Sequence, residues 1–291
     1  MRGRRTAGGA AALTAVLLVL TGCGPGSPAQ FPDDGKVHVV ASFYPFEFVV
    51  AQVGGDRVDV LNLTKPGAEP HDLELTPHQV GAVTEAALVV YEKGFQPAVD
   101  DAVSQNAAAR ALEVTSVVPL TNSDPHIWLD PTRLATVADA VAARLGSIDP
   151  AGTAAYRANA ARLDAELAAL DAAFRTGLAS CQVTSFVTSH EAFGYLAQRY
   201  GLQQIAISGL SPEAEPSPAR LAEVATIARD EHLTTIFYER LVSPKTSETI
   251  ANEVGLKTQV LDPIEGVTGS DTYLTVMRLN LAALQEANSC T

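Results

Sequence analysis

Basic residues are scarce in this chain. Twenty Lys and Arg stand against 33 Asp and Glu, giving a formal net charge of -13 over 291 residues. No basic surface offsets phosphate repulsion, so nucleic-acid binding is excluded, and the balance suits a cationic ligand or an arginine-lined partner. Cysteine is nearly missing, with three residues in all. A comfortable membrane span is missing too: the apolar run from Ala10 to Leu20 is shorter than the roughly 20 residues a spanning helix requires. The 17 prolines and 21 glycines are spread along the chain, which argues against a coiled coil or a disordered tail. What remains is 47% hydrophobic and 18% charged, the balance of a globular protein that buries one large core or two ordinary ones.

The first residues read as an address. Arg2, Arg4 and Arg5 precede the apolar run, in the layout of a secretion signal. The run ends in Leu20-Thr21-Gly22-Cys23, which resembles the lipobox of bacterial lipoproteins, where the cysteine sulfur receives the lipid. Residues 1–22 are therefore expected to be a cleaved signal peptide. Cys23 would anchor the mature chain to the outer face of the bacterial cell membrane, and the Gly- and Pro-rich stretch 23–35 would be a flexible tether. Cys181 and Cys290 are then the cysteines left over, and in an oxidising compartment they are expected to pair.

From Lys36 onward short β-branched runs alternate with helical stretches. Strands are expected at 37–43, 58–63, 87–91 and 111–114, and again at 183–188, 203–207, 235–238 and 258–261. Strand-helix alternation of this kind predicts an α/β fold with two lobes, each a mostly parallel four-stranded sheet flanked by helices. The lobes would be residues 36–149 and 179–291. Between them, Ala154 to Thr176 is built almost entirely of strong helix formers with no Gly or Pro. It is expected to form one long rigid connecting helix within residues 150–178.

Four side chains able to hold a metal fall near strand ends in this reading. His71 lies in the loop after the second strand. His126 lies in Asp124-Pro125-His126-Ile127-Trp128-Leu129-Asp130-Pro131, where two Asp-Pro pairs stiffen the backbone. There Asp130 is placed to cap a helix starting at Pro131, with apolar residues at Leu134, Val137, Ala138, Val141 and Leu145. His190 follows a strand and precedes a helix. Asp262 ends a strand, and Pro263 fixes its exit. Ligands of open α/β sheets bind beyond the carboxyl ends of strands, so the expected meeting point is the cleft between lobes. Three imidazoles and one carboxylate suit Zn2+, with Mn2+ less favoured because it usually takes more oxygen donors. His38, His78 and His232 read as structural or solvated.

The stretches Ala41-Ser42-Phe43-Tyr44-Pro45, Gly67-Ala68-Glu69-Pro70-His71-Asp72, the His126 segment, Ser189-His190-Glu191-Ala192-Phe193-Gly194-Tyr195 and Val242-Ser243-Pro244-Lys245 occur in this order. Together they resemble the zinc/manganese solute-binding proteins of bacterial ABC importers, over nearly the whole chain from Val37. That resemblance implies His71, His126, His190 and Asp262 as metal ligands, with Glu69 as a candidate additional carboxylate. It implies a monomer that delivers Zn2+ to a membrane permease and its ATPase, and no enzymatic activity. Manganese-type members carry glutamate at the third ligand position, so His190 points towards zinc. One departure stands out: the long His- and acid-rich loop of many zinc-specific members is replaced by Pro119-Leu120-Thr121-Asn122-Ser123.

The alternatives are manganese or iron binding by the same fold, a surface adhesin whose metal is only structural, and a metal-dependent hydrolase. The last would need an open coordination position and a general base such as Glu191. No His-Glu-x-x-His helix occurs.

Overall fold

The structure, a computed structural model, describes residues 31–291. The expected signal peptide and Cys23 lie outside the described residues. The first half contains strands β1 (Val37–Ala41), β2 (Val58–Asn62), β3 (Leu88–Tyr91) and β4 (Ala111–Glu113). They form a parallel sheet in the order β2-β1-β3-β4. The second half repeats the plan with β5 (Ser185–Thr188), β6 (Gln203–Ala206), β7 (Thr235–Tyr238) and β8 (Lys257–Val260), in the order β6-β5-β7-β8, again all parallel. In both sheets the strand order reverses beside the first strand of the half, the kind of switch point at which such sheets hold ligands.

Helices cover both faces of the sheets, as parallel strands require. In the first half these are α1 (Tyr44–Gly54), α2 (Pro77–Glu85), α3 (Pro97–Asn106) and α4 (Pro131–Ile148). Each starts with a proline in its first two positions, where the missing N–H costs nothing. Thr76 and Gln79 close a reciprocal capping box on α2. Asp130 caps α4 by accepting from the Thr132 N–H, and the stripe Leu134, Val137, Ala138, Val141 and Leu145 is fully buried, as the sequence pattern predicts. Helices α6 (Gly194–Tyr200), α7 (Pro218–Asp230), α8 (Lys245–Val254) and α9 (Tyr273–Ala287) accompany the second sheet.

The long helix α5 (Thr153–Gly177) joins the halves. It buries Tyr156, Ala160, Leu163, Leu167, Leu170 and Phe174 at helical spacing and packs against α4, α1 and α9. Burial of each large apolar side chain in that stripe contributes about 1.5–3 kcal/mol. α5 is therefore a core element as well as a connector. One hydrophobic core runs from Val39 and Phe43 through Trp128 and the α5 stripe to Phe186, Phe237 and Met277, crossing from one half to the other. Two smaller clusters line the outer sheet faces, around Val40 and Val89 in the first half and around Val187 and Ile236 in the second. Polar links reinforce the junction: Arg199 of α6 lies 2.6 Å from Asp171 of α5 and 3.2 Å from Asp130 at the start of α4. Cys181, just past α5, forms a disulfide with Cys290, just past α9. The pairing expected from the sequence is present.

Candidate metal centre

Each donor loop leaves the carboxyl end of a strand, and local chemistry holds it there. The loop after β2 carries His71 and is pinned by Gln96, whose Nε2 donates to the Pro70 carbonyl and to Thr64 Oγ1, both at 3.1 Å. After β4 the chain makes a tight turn, with the Asp124 N–H donating to Thr121 O at 3.0 Å and Asn122 and Ser123 at positive φ. Tyr195 of α6 fastens that turn from the other half, accepting from the Thr121 N–H at 2.8 Å and donating to Asp124 O at 2.9 Å. His126 follows and then one 3-10 turn leads into α4. After β5, Gln204 Nε2 and Thr188 Oγ1 both donate to the His190 carbonyl.

The three imidazoles converge through their Nε2 atoms on one carboxylate, and it is Glu265. Glu265 Oε1 lies 3.2 Å from His71 Nε2, 3.3 Å from His126 Nε2 and 3.6 Å from His190 Nε2, and the last two nitrogens are 3.4 Å apart. All four donor atoms lie within 4.8 Å of one another. A tetrahedral ion with donors at about 2.0–2.2 Å separates them by about 3.3–3.6 Å. Those four separations, 3.2 to 3.6 Å, match that edge length. His126, His190 and Glu265 are buried, while His71 keeps partial exposure and borders a cavity of about 380 Å³ that Phe95 and Leu120 of the first half share with Leu210 of the second.

Two donors are held from behind. His126 Nδ1 lies 2.8 Å from Asp124 Oδ1, and His190 Nδ1 lies 2.7 Å from Glu239 Oε1, which also accepts from Ser189 Oγ at 2.5 Å. A carboxylate at Nδ1 fixes the tautomer that leaves Nε2 free to bind an ion, and it raises ring basicity. No such carboxylate stands behind His71 among the described residues; its ring packs edge-on against Phe95 at 4.6 Å.

The electrostatics are those of a site short of positive charge. Burial pulls His190 down, but the carboxylates of Glu239 and Glu265 outweigh it and bring the imidazole up to about 10. His126 is raised by Asp124 and Glu265 against the same burial. Burial works to raise Glu265, yet the three imidazoles hold its carboxyl well below the usual range.

The expected fourth donor, Asp262, is not part of this set. Its Oδ1 accepts from the Ile264 N–H at 2.8 Å and its Oδ2 lies 3.4 Å from Arg240 Nε. Burial raises it to about 6, against the Ile264 hydrogen bond and Arg240. The strand-end position suggested ligation, but the chain turns at Pro263 and presents the carboxylate three residues later. The sequence signal for this was Asp-Pro followed by a second acid, Glu265, ahead of Gly266. Glu69 stands at the margin: its Oε1 is 3.9 Å from His71 Nε2, outside the four-donor group, and burial raises its carboxyl. His38 contacts the Pro32 carbonyl and stacks on Phe31, away from the centre.

The chain is similar in sequence and fold to proteins described as zinc-binding. The family model described as ZnuA, zinc-uptake complex component A, periplasmic, matches residues 39–287. The chain is 32% identical to the high-affinity zinc uptake system protein ZnuA of Bacillus subtilis, covering 94% of this chain and 95% of that protein. The Zn(II)-bound ZnuA-like domain of Streptococcus pneumoniae AdcA superposes with a TM-score of 0.76 at 35% identity, covering 87% of this chain and 99% of the domain; whole AdcA is longer, and this chain spans 56% of it. The laminin-binding protein Lmb of Streptococcus agalactiae, described as bifunctional with adhesin and metal transporting activity, superposes with a TM-score of 0.80 at 34% identity over 86% of this chain and 99% of that one. The fold, the donor set and the match over residues 39–287 together place this chain in the ZnuA family of zinc-uptake components.

Proposed function

We propose that the chain captures Zn2+ between its two halves through Nε2 of His71, His126 and His190 and a carboxylate oxygen of Glu265, and passes it to the permease and ATPase of an ABC importer. The observation that carries this is the spacing of the donors around Glu265 Oε1, 3.2 to 3.6 Å, which fits a small tetrahedral ion. Three nitrogens and one carboxylate favour Zn2+ over Mn2+, whose sites are richer in oxygen. Four protein donors at tetrahedral spacing leave no open position for a bound water, and that removes the main support for a hydrolase. Glu191, the base such an enzyme would need, is exposed.

The chain acts as a monomer, anchored through a lipid on Cys23 to the outer face of the cell membrane. Its lobes, 36–149 and 179–291, flank a connecting helix within 150–178. Glu69 stands beside the entrance at His71 as an auxiliary carboxylate.

Competition titration of demetallated protein against a chromophoric zinc chelator tests the site. Alanine at His71, His126, His190 or Glu265 should each lower affinity by orders of magnitude, with one zinc per wild-type chain. Unchanged affinity in all four variants would refute the assignment.

A further inference from the structure

The segment that delivers Glu265 is held in an unfavourable shape by side chains from three directions. Ile264, the residue immediately before it, has φ +61. A β-branched residue in the left-handed region is a genuine outlier, and such conformations persist only where their surroundings over-determine them. Here they do. Asp262 Oδ1 accepts the Ile264 N–H at 2.8 Å. Asn280, buried on α9, grips the Asp262 peptide groups on both sides: its Oδ1 accepts the Asp262 N–H at 2.9 Å, and its Nδ2 donates to the Asp262 carbonyl at 2.7 Å. Trp128 Nε1, from the other half, donates to the Pro263 carbonyl at 2.6 Å. The Ile264 side chain itself is fully buried, which locks the turn by packing.

Both oxygens of Asp262 are accounted for by this turn and by Arg240. A carboxylate so engaged serves the backbone, and the reversal it stabilises is what brings the next acid to the imidazoles. We infer that Asp262 and Asn280 are positioning residues that hold Ile264 in its left-handed conformation and thereby aim Glu265 at His71, His126 and His190. The inference rests on the reading of Glu265 as the fourth donor. It assigns the Asp-Pro-Ile-Glu segment one ligand and one brace, and it makes zinc affinity depend on a hydrogen bond that touches no metal.

Two neutral isosteres separate the roles. Asn at 262 keeps an oxygen for the Ile264 N–H but discards the charge; Gln at 265 discards the charge of the donor itself. Zinc affinity by chelator competition, and the visible absorption spectrum of the Co2+-loaded protein as a report on coordination, are measured for Asp262→Asn, Asp262→Ala, Asn280→Ala and Glu265→Gln. The expected result is near-wild-type affinity and Co2+ spectrum for Asp262→Asn. Asp262→Ala and Asn280→Ala should each lose about 10- to 100-fold, the usual cost of removing an outer support. Glu265→Gln should lose more than either and change the spectrum. Equal loss in Asp262→Asn and Asp262→Ala would overturn the inference, because the charge and not the brace would then matter; so would wild-type affinity in both Asp262→Ala and Asn280→Ala. Wild-type affinity and spectrum in Glu265→Gln would instead defeat the underlying site reading. Should either alanine variant fail to fold, the contrast between Asp262→Asn and Glu265→Gln still decides between ligand and brace.

Discussion

Trp128 Nε1 donates to the carbonyl oxygen of Pro263 over 2.6 Å, and both partners are buried. Trp128 lies two residues after His126, and Pro263 lies two residues before Glu265. One indole therefore ties the donor loop of the first half to the donor loop of the second. Tyr273 closes the same junction by donating from its hydroxyl to the Trp128 carbonyl at 2.6 Å. The halves meet at the candidate metal centre as well as through α5.

Trp128→Phe keeps most of the aromatic packing against Phe43 and Phe95 but leaves the Pro263 carbonyl buried without its donor. The expected loss is about 2–4 kcal/mol, from the unsatisfied acceptor together with the cavity left by the smaller ring. Urea unfolding of the ion-free protein measures it. A midpoint equal to wild type would show that the junction does not depend on this bond.

The carboxylates behind the imidazoles make a second prediction. Glu239→Ala and Asp124→Ala remove the partners of His190 Nδ1 and His126 Nδ1, and each should weaken zinc binding by about 10- to 100-fold. Nitrogen NMR of the zinc-loaded imidazoles reads the tautomer directly. Retention of Nδ1 protonation with unchanged affinity in both variants would contradict a supporting role.

The pH dependence has a defined sign. His190 is raised from its ordinary value to about 10, so its contribution to the stability of the ion-free fold is complete below about pH 6.5 and is lost as pH rises towards 10. Glu265 is lowered, so its contribution is present above about pH 4.5 and is lost as pH falls through its depressed folded value. Zinc needs the neutral His190 ring and must expel that proton. Loading at pH 8 should therefore release protons to the buffer, seen by calorimetry in buffers of different ionisation enthalpy. Heats independent of the buffer would contradict it.

The Cys181–Cys290 bridge closes a loop with a sequence separation of 109. In the chain-entropy account its removal costs about 4–5 kcal/mol. Cys181→Ser with Cys290→Ser should lower the unfolding midpoint accordingly, and denatured, unreduced protein lacking Cys23 should show no free thiol. Two titratable thiols would refute the bridge.

Much of the fold was legible because its cues are local. The Asp130-Pro131 cap and the stripe from Leu134 to Leu145 specify α4 within the segment itself, and the apolar spacing from Tyr156 to Phe174 does the same for α5. Three histidines stand out in the sequence because each sits in a loop after a strand, a place recognisable from the strand-helix rhythm, and the structure brings them together. Asp262 stands apart from the cluster of His71, His126, His190 and Glu265 for a physical reason. Its place just past the end of β8 is where a strand-end ligand is expected, whereas the left-handed turn at Ile264 depends on Asn280 and Trp128, which are remote in sequence and hydrogen-bond to this turn only in the folded chain. The same remoteness hid Glu239, whose meaning appears only when β7 brings it behind His190. The core shared by both halves was likewise invisible in a pattern that reads as two separate lobes.

The most direct test of the central claim is elemental analysis of demetallated protein after equilibration with equimolar Zn2+, Mn2+ and Fe2+, performed on wild type and on His126→Ala. The account predicts one zinc per wild-type chain with little manganese or iron, and loss of that zinc in the variant. Manganese or iron as the dominant metal in wild type, or one retained zinc in His126→Ala, would contradict it.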